Sequence, residues 1–333
     1  MGYAAERKRE QRIHKAIKRW ILVFVALLLG TLGVLNSFYP CASWKYYFAK
    51  PKLTALADGE MRIHFLDVGQ GDATFIELPD GKTALIDGGN GAEENNLSML
   101  RYLNALKVKK IDYLVATHAD SDHCGGLVEV VRYKEIGRAF LPVVDESVGD
   151  AYAEFYSELV EKECAVEYAK RSVSLSTDTY TFQFLYPLTF DVESGAVEED
   201  TNASSAVLWL DYQGVSALFT GDAPTAVEER LIKDDDNEGY LAASGVTLSS
   251  TEILKVAHHG SKDSTSEVFL RHLGVQTAIV SCGKNNLYGH PSDEVLQRLS
   301  AVGADTYRTD ELGHITITVK RDGSYAVANL QNK

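Results

Sequence analysis

The chain has 333 residues, 45% hydrophobic and 24% charged, proportions that exclude disorder, collagen and coiled coil for its bulk. Its net charge of −14 is unevenly spread: the first 20 residues carry seven Lys/Arg and two Glu (+5), leaving 26 basic against 45 acidic side chains (−19). A body that acidic is no general nucleic-acid coat, although a local basic groove stays open to it. Cys41, Cys124, Cys164 and Cys282 form no CxxC pair, so neither a disulfide framework nor a cysteine zinc site is signalled.

In chain order, residues 1–19 form a basic tail, and 20–38 read as a transmembrane signal-anchor. No charged residue occurs between Trp20 and Trp44, and about 20 apolar helical residues span the ~30 Å hydrocarbon core. The basic cluster before it predicts a cytoplasmic N-terminus and a body outside the membrane. Trp20, Phe38, Tyr39 and Trp44 fit interfacial anchors. A cleaved signal peptide fits less well, since the basic region is long and no A-x-A site follows. A buried helix fits least, for want of a polar face. Residues 39–60 read as a tether, with Cys41 an ordinary residue.

From Met61 onward, short β runs alternate with turn signals and amphipathic helices. Strands are predicted at 61–67, 73–78, 83–87, 112–117, 180–186, 205–211, 215–220, 253–257, 277–281 and 314–319. Helices are predicted at 96–107, 126–133, 150–162, 224–233, 265–273 and 293–301. The acidic stretches 189–201 and 234–250 read as surface loops. Strand pairs followed by alternating strands and helices predict an α/β protein with mixed sheets covered by helices.

Four motifs sit at predicted strand ends. Thr117-His118-Ala119-Asp120-Ser121-Asp122-His123 packs two imidazoles and two carboxylates into six positions, a knot that is costly in a fold unless cations neutralise it. Gly221-Asp222-Ala223-Pro224 places an aspartate to bridge two metals, or to cap the helix that follows. In His258-His259-Gly260-Ser261 adjacent side chains diverge, so one histidine is expected to bind directly. His258 is preferred, with His259 behind it. In the loop 281–291, backbone N–H groups are expected to hold an anion faced by His290 and Lys284. Ser264 and Glu267 spell a capping box, which leaves Lys262 free for a phosphate.

With these residues in view, the chain resembles the metallo-β-lactamase superfamily, and within it the hydrolase domain of the ComEC-type DNA-uptake competence family. The stretch from His64 to Asp72, Leu85-Ile86-Asp87-Gly88-Gly89, the turn 118–126, Gly221-Asp222, 258–261 and Asn286-Leu287-Tyr288-Gly289-His290-Pro291 follow that family's order over residues 61–322, with 323–333 as the domain's C-terminal end and tail. The resemblance implies a four-layer αβ/βα sandwich with two divalent metal ions, Zn²⁺ or Mn²⁺, at one rim. His118 and Asp120 would face the first metal, Asp122 and His123 the second. His258 or His259 would join the second, and Asp222 would bridge both. Asn202, Ser261, Lys262, Asn286 and Tyr288 are expected to touch substrate. The chain departs from the commonest superfamily pattern twice. Asp120 replaces a histidine, and no histidine lies between His123 and Asp222, where Asn202 and Ser205 stand instead. The more oxygen-rich site shifts preference toward Mn²⁺.

Two cations about 3.5–4 Å apart acidify a water and clamp both oxygens of an in-line displacement. Asp122 would accept the proton, while His290 and Lys284 would steady the leaving or non-bridging oxygens. The expected function is a membrane-anchored, extracytoplasmic phosphodiesterase or nuclease acting on single- or double-stranded DNA. One candidate span leaves no room for a channel, so a stand-alone enzyme or a separately encoded channel partner is expected. The alternatives are hydrolysis of a cell-envelope phosphoester, of phosphocholine or teichoic-acid type, and a non-catalytic binding protein on the same scaffold.

Overall fold

The computed structural model describes residues 2–38, 54–144, 148–195, 200–236 and 240–330. The chain divides into two compact units, residues 1–49 and 50–333.

The first unit is a single helix, Gly2–Phe38, within which Arg7–Val34 is long and apolar enough to cross a membrane. The basic segment expected as a tail is part of this helix: its Ala, Glu, Lys, Arg and Gln side chains lose little rotamer freedom there, and no Gly or Pro interrupts it before Gly30. The tether residues 39–53, with Tyr39, Cys41 and Trp44, lie outside the described residues.

The second unit is a sandwich of two mixed sheets. Its strands are β1 Met61–Phe65, β2 Thr74–Glu77, β3 Thr83–Ile86, β4 Lys110–Val115, β5 Glu135–Leu141, β6 Ala165–Tyr168, β7 Thr181–Tyr186, β8 Val207–Tyr212, β9 Val215–Phe219, β10 Thr251–Lys255, β11 Thr277–Val280, β12 Asp305–Arg308, β13 His314–Val319 and β14 Tyr325–Leu330. The first sheet runs β14-β13-β1-β2-β3-β4-β5-β6 and the second β12-β11-β10-β9-β8-β7. The β3–β6 run and the β9–β12 run are parallel, and the remaining pairs are antiparallel.

Strand alternation builds the layers. Met61, Ile63 and Phe65 of β1 pair with Val319, Ile317 and Ile315 of β13, and all six join one core with Leu208, Leu210, Ala217, Phe219, Ile253 and Ile279 of the second sheet. The intervening residues Trp209, Leu218, Leu254, Ala278 and Val280 face the other way. They pack with Val227 and Leu231, Phe269 and Leu270, and Val295 and Leu299 from the helices Thr225–Asp236, Glu267–His272 and Asp293–Ala301. On the outer face of the first sheet, Tyr102 of the helix Glu93–Ala105 bonds His64 Nδ1 through its hydroxyl at 2.9 Å and packs on the His314 ring. The four-layer sandwich is as expected.

Sequence periodicity missed β5, β6, β12 and β14. All four residues of β6 are exposed, as is half of β12, because edge strands need no alternating apolar face. In β5, Gly137 breaks the pattern; a Cβ there would lie 2.6 Å from the Asp112 carbonyl oxygen. The stretches expected as acidic loops carry the short helices Thr189–Glu193 and Tyr240–Ala243. The helix at 267 is capped by Ser266, whose hydroxyl accepts from Phe269 N–H. Ser264, expected as the cap, is buried with its hydroxyl unpartnered. The chain turns two residues later because Glu228 takes the Thr265 and Ser266 N–H groups.

Candidate metal centre

The parallel strands of both sheets end at one rim, where ligands gather in open α/β sheets. Asp87 follows β3, Thr117 and His118 follow β4, Asp222 follows β9, and His258 and His259 follow β10. The loop after β1 threads between them. Asp72 N–H bonds the Asp122 carbonyl at 3.2 Å, and a Cβ on Gly71 (φ +132°) would sit 2.2 Å from that same oxygen. Only glycine passes there.

Three buried imidazoles leave Nε2 without a hydrogen-bond partner because each Nδ1 is occupied. His123 Nδ1 donates to Asp87 Oδ2 at 2.8 Å, and Asp87 is fixed by the Thr117 N–H and hydroxyl, both at 2.8 Å. His259 Nδ1 donates to the Ser281 carbonyl at 2.9 Å. The Thr117 hydroxyl proton is spent on Asp87, so His118 Nδ1 donates to Thr117 Oγ1 at 3.0 Å. Ser205 Oγ lies 3.4 Å from the same nitrogen and accepts from Asp222 N–H at 3.1 Å.

The Nε2 atoms of His118, His123 and His259 and Asp222 Oδ1 are buried without a hydrogen-bond partner. Carboxylate oxygens nevertheless stand nearby: Asp222 Oδ1 3.2 Å from His123, Asp122 Oδ2 3.3 Å and Asp222 Oδ2 3.5 Å from His259, and Asp120 Oδ2 3.8 Å from His118. Buried polar atoms left unpaired in this number call for an ion, and imidazole with carboxylate suits a divalent metal. The residues present fit such ions.

Asp72, His123, Asp222 and His259 offer ligand atoms all within 4.8 Å of one another. Asp72, however, approaches the histidines from behind, at His259 Nδ1 (3.5 Å) and His123 Nδ1 (3.8 Å), and is ion-paired to buried Lys255. Lys255 also donates to the Gly221 carbonyl at 3.0 Å and stands 3.9 Å from Asp222 Oδ1. This pair braces the centre from below.

The charges show how the metal-free centre balances itself. Burial disfavours a charged His259, but Asp222 and Asp72 outweigh it and raise its pKa to about 9. His123 is likewise held well above its usual value, because Asp222 and Asp87 overcome burial. Burial, with His123 beside it, pulls His118 down to about 4. Burial would raise Asp222, but His123 and His259 hold it well below the ordinary carboxylate range.

Of the expected site residues, His118, Asp122, His123, Asp222 and His259 converge. Asp120 is 41% exposed, with its other oxygen bonded by Thr201 Oγ1 at 2.7 Å. The expected order of the adjacent histidines is reversed. Both adopt left-handed backbone (φ 50° and 54°), which swings His259 inward and leaves His258 30% exposed, its Nε2 3.7 Å from Asp222 Oδ2. His290 stands beside them, its ring 5.7 Å from that of His258 and 6.4 Å from that of His259.

Four N–H groups of the loop expected to hold an anion are spent within the fold: Cys282 N–H goes to Thr309 and Gly283 N–H to Gln70. The Tyr288 and His290 N–H groups go to Asn286 Oδ1, and Asn286 Nδ2 donates to the Gly283 and His290 carbonyls. Asn286 is therefore a brace and has no hydrogen-bonding capacity left for substrate. Ser261 is buried and caps Asp263 N–H, which also withdraws it from substrate. Lys262, Lys284 and Tyr288 stand exposed, and Asn202 is half-buried with Oδ1 unpartnered. The sequence motifs named Asp87, Ser205 and Asp72 without a role, and left Thr201 and Lys255 unnamed; the first two and Thr201 hold ligands in place, and Asp72 pairs with Lys255. A lone lysine in the apolar run Ile253-Leu254-Lys255-Val256 was that pair's one visible signal.

A two-sheet sandwich with a His/Asp cluster at the parallel-strand rim defines a fold built around a candidate metal centre. Residues 66–284 match the metallo-beta-lactamase superfamily, and the chain belongs to it. It is similar to ComE operon protein 3 of Bacillus subtilis, 31% identical over 319 residues, covering 89% of this chain and 36% of that protein. It is also similar to competence protein ComA of Neisseria gonorrhoeae, 29% identical over 276 residues, covering 83% of this chain and 35% of that protein. The chain thus spans about a third of the length of these relatives. Among solved structures it is similar to the metallo-beta-lactamase fold protein YhfI of Bacillus subtilis, with a TM-score of 0.48 and 10% identity, covering 81% of this chain and 100% of that one.

Proposed function

We propose that the protein is a membrane-anchored phosphodiesterase acting on nucleic acid with two divalent metal ions, Mn²⁺ or Zn²⁺. The observation that carries the reading is the set of buried, unpartnered Nε2 atoms of His118, His123 and His259, with Asp222 oxygens beside the last two. Charge supports the count of two. With the histidines neutral, as ligands must be, Asp72, Asp87, Asp120, Asp122 and Asp222 stand around the rings against Lys255, a net −4 that two divalent cations would cancel.

In this reading His118 and Asp120 would hold one ion, Asp122, His123 and His259 the other, and Asp222 would contribute to both. Bound there, the ions supply Lewis acidity and an acidified water. Asp122 would take the proton of the attacking water. Thr201 and Ser205 keep Asp120, His118 and Asp222 in place. His290, at the open side, stabilises the departing oxygen, and Lys284 and Lys262 neutralise phosphate.

The resemblance to DNA-uptake competence proteins supports a nucleic-acid substrate. The basic residues preceding the apolar span support a cytoplasmic N-terminus and an extracytoplasmic catalytic unit. The −19 charge of the chain beyond residue 20 favours a second reading, a small envelope phosphoester. The full chain in detergent micelles with Mn²⁺ or Zn²⁺ should cleave an oligonucleotide or a bis-aryl phosphodiester, and no turnover on any phosphodiester across several metals would contradict the proposal. Binding that weakens steeply with salt marks a polyanion; a flat response marks the small substrate.

A further inference from the structure

The loop beside the metal centre shows apolar surface that the fold does not need. Leu287 is 100% exposed and Tyr288 71% exposed. They are presented rigidly: Asn286 ties the loop with four hydrogen bonds, Gln70 Oε1 accepts Gly283 N–H at 3.1 Å, and the Cys282 N–H is held by Thr309. A fold does not usually brace an exposed aromatic this heavily.

The rings are also aligned. Tyr288 lies 5.8 Å from His290 with planes 24° apart, and His290 lies 6.4 Å from His259 with planes 31° apart. A row of three rings, the outer pair stacked and the inner pair tilted, therefore leads from the metal-facing imidazole out to solvent. Its inner member is buried and its outer face is open. His290 Nδ1 is buried and unpartnered within this row.

We infer that Tyr288, backed by His290 and flanked by Leu287, is a stacking platform for a nucleobase, which makes base-bearing single strands the favoured substrate. The inference rests on the phosphodiesterase reading and narrows it. An open π-face accepts any base, and such stacking is sequence-tolerant. A base paired within a duplex has both faces covered and cannot reach it. Exposed Lys262 and Lys284 sit on the flanking loops, where the phosphates of a single strand would run.

The test compares a single-stranded oligonucleotide, the same backbone with abasic sites, a duplex, and a phosphocholine ester, using the full chain in detergent micelles with Mn²⁺. Wild type should turn over base-bearing single strands faster than abasic ones by on the order of ten- to hundredfold, the worth of one base–aromatic stack. Tyr288→Ala should collapse that ratio toward one, mainly through KM, and Tyr288→Trp should restore it. A ratio unchanged in Tyr288→Ala, failure of Trp to restore it, or faster turnover of duplex or phosphocholine ester would overturn the inference. Binding of the same labelled strands, read by anisotropy, separates the two claims. If nothing is hydrolysed, the phosphodiesterase reading fails, while loss of base-dependent binding in Tyr288→Ala still upholds the platform and its persistence refutes it.

Discussion

Metal binding should release about two protons per chain at neutral pH. In the metal-free centre the buried carboxylates keep His123 and His259 charged, His259 with a pKa of about 9 and His123 well above 6.5. Both must lose a proton to offer Nε2 to a cation, whereas His118, pulled down to about 4, is already neutral. At pH 7 the proton on His259 alone lies two units below its pKa, a penalty of about a hundredfold in apparent affinity, or ~2.7 kcal/mol. His123 adds a second of the same sign. Apparent affinity should therefore rise with pH from neutrality through about 9, where His259 gives up its proton. The same shifts work the other way on the metal-free fold. Both pKa values are raised on folding, so this contribution to stability is full below pH ~6.5 and is lost as pH rises through about 9. Calorimetric titration of the full chain with Mn²⁺ or Zn²⁺, repeated in buffers of different ionisation enthalpy, counts the protons. Fewer than one, or an affinity flat between pH 6 and 9, would refute the reasoning.

Asp222→Asn replaces an anionic bridge by a neutral amide between two cations; metal content should fall below two and turnover by orders of magnitude, with circular dichroism unchanged. His290→Ala should keep both metals and lose turnover, and if it empties a site while Asp222→Asn does not, the ligand assignment is wrong. Lys255→Met strands the buried carboxylate of Asp72 and should cost roughly 3–5 kcal/mol of stability in denaturant titration; Asp72→Asn added to it should recover a large part, and a neutral Lys255→Met would refute the brace. Protease added to intact cells should remove the catalytic unit and spare the first ~20 residues, because basic flanks stay cytoplasmic; protection of the unit would reverse the assigned orientation.

Much of the centre was legible because each ligand-bearing motif follows an apolar run. Ile111–Ala116 delivers His118 to His123, Val215–Phe219 delivers Asp222, and Ile253–Val256 delivers the histidine pair. Alternation also made the central strands and the sandwich readable. Which of His258 and His259 turns inward was not legible, because two successive left-handed residues override the simple divergence of neighbouring side chains. Asn286 carries no pattern that tells a loop brace from a substrate contact. Its role depends on four backbone groups brought around it by the turn. Ser264 and Ser266 both precede apolar residues, and the choice of cap rests with Glu228, 38 residues away from Ser266 in the chain. The edge strands β6, β12 and β14 were missed for want of a buried face.

The central claim is that His118, Asp120, Asp122, His123, Asp222 and His259 together hold two divalent ions. Elemental analysis of the full chain, purified at neutral pH and equilibrated with Mn²⁺ or Zn²⁺, tests it most directly. The account predicts two metals per chain, lost on chelation and restored on return of the ion; less than one per chain would contradict it and leave a non-catalytic binding protein on a hydrolase scaffold.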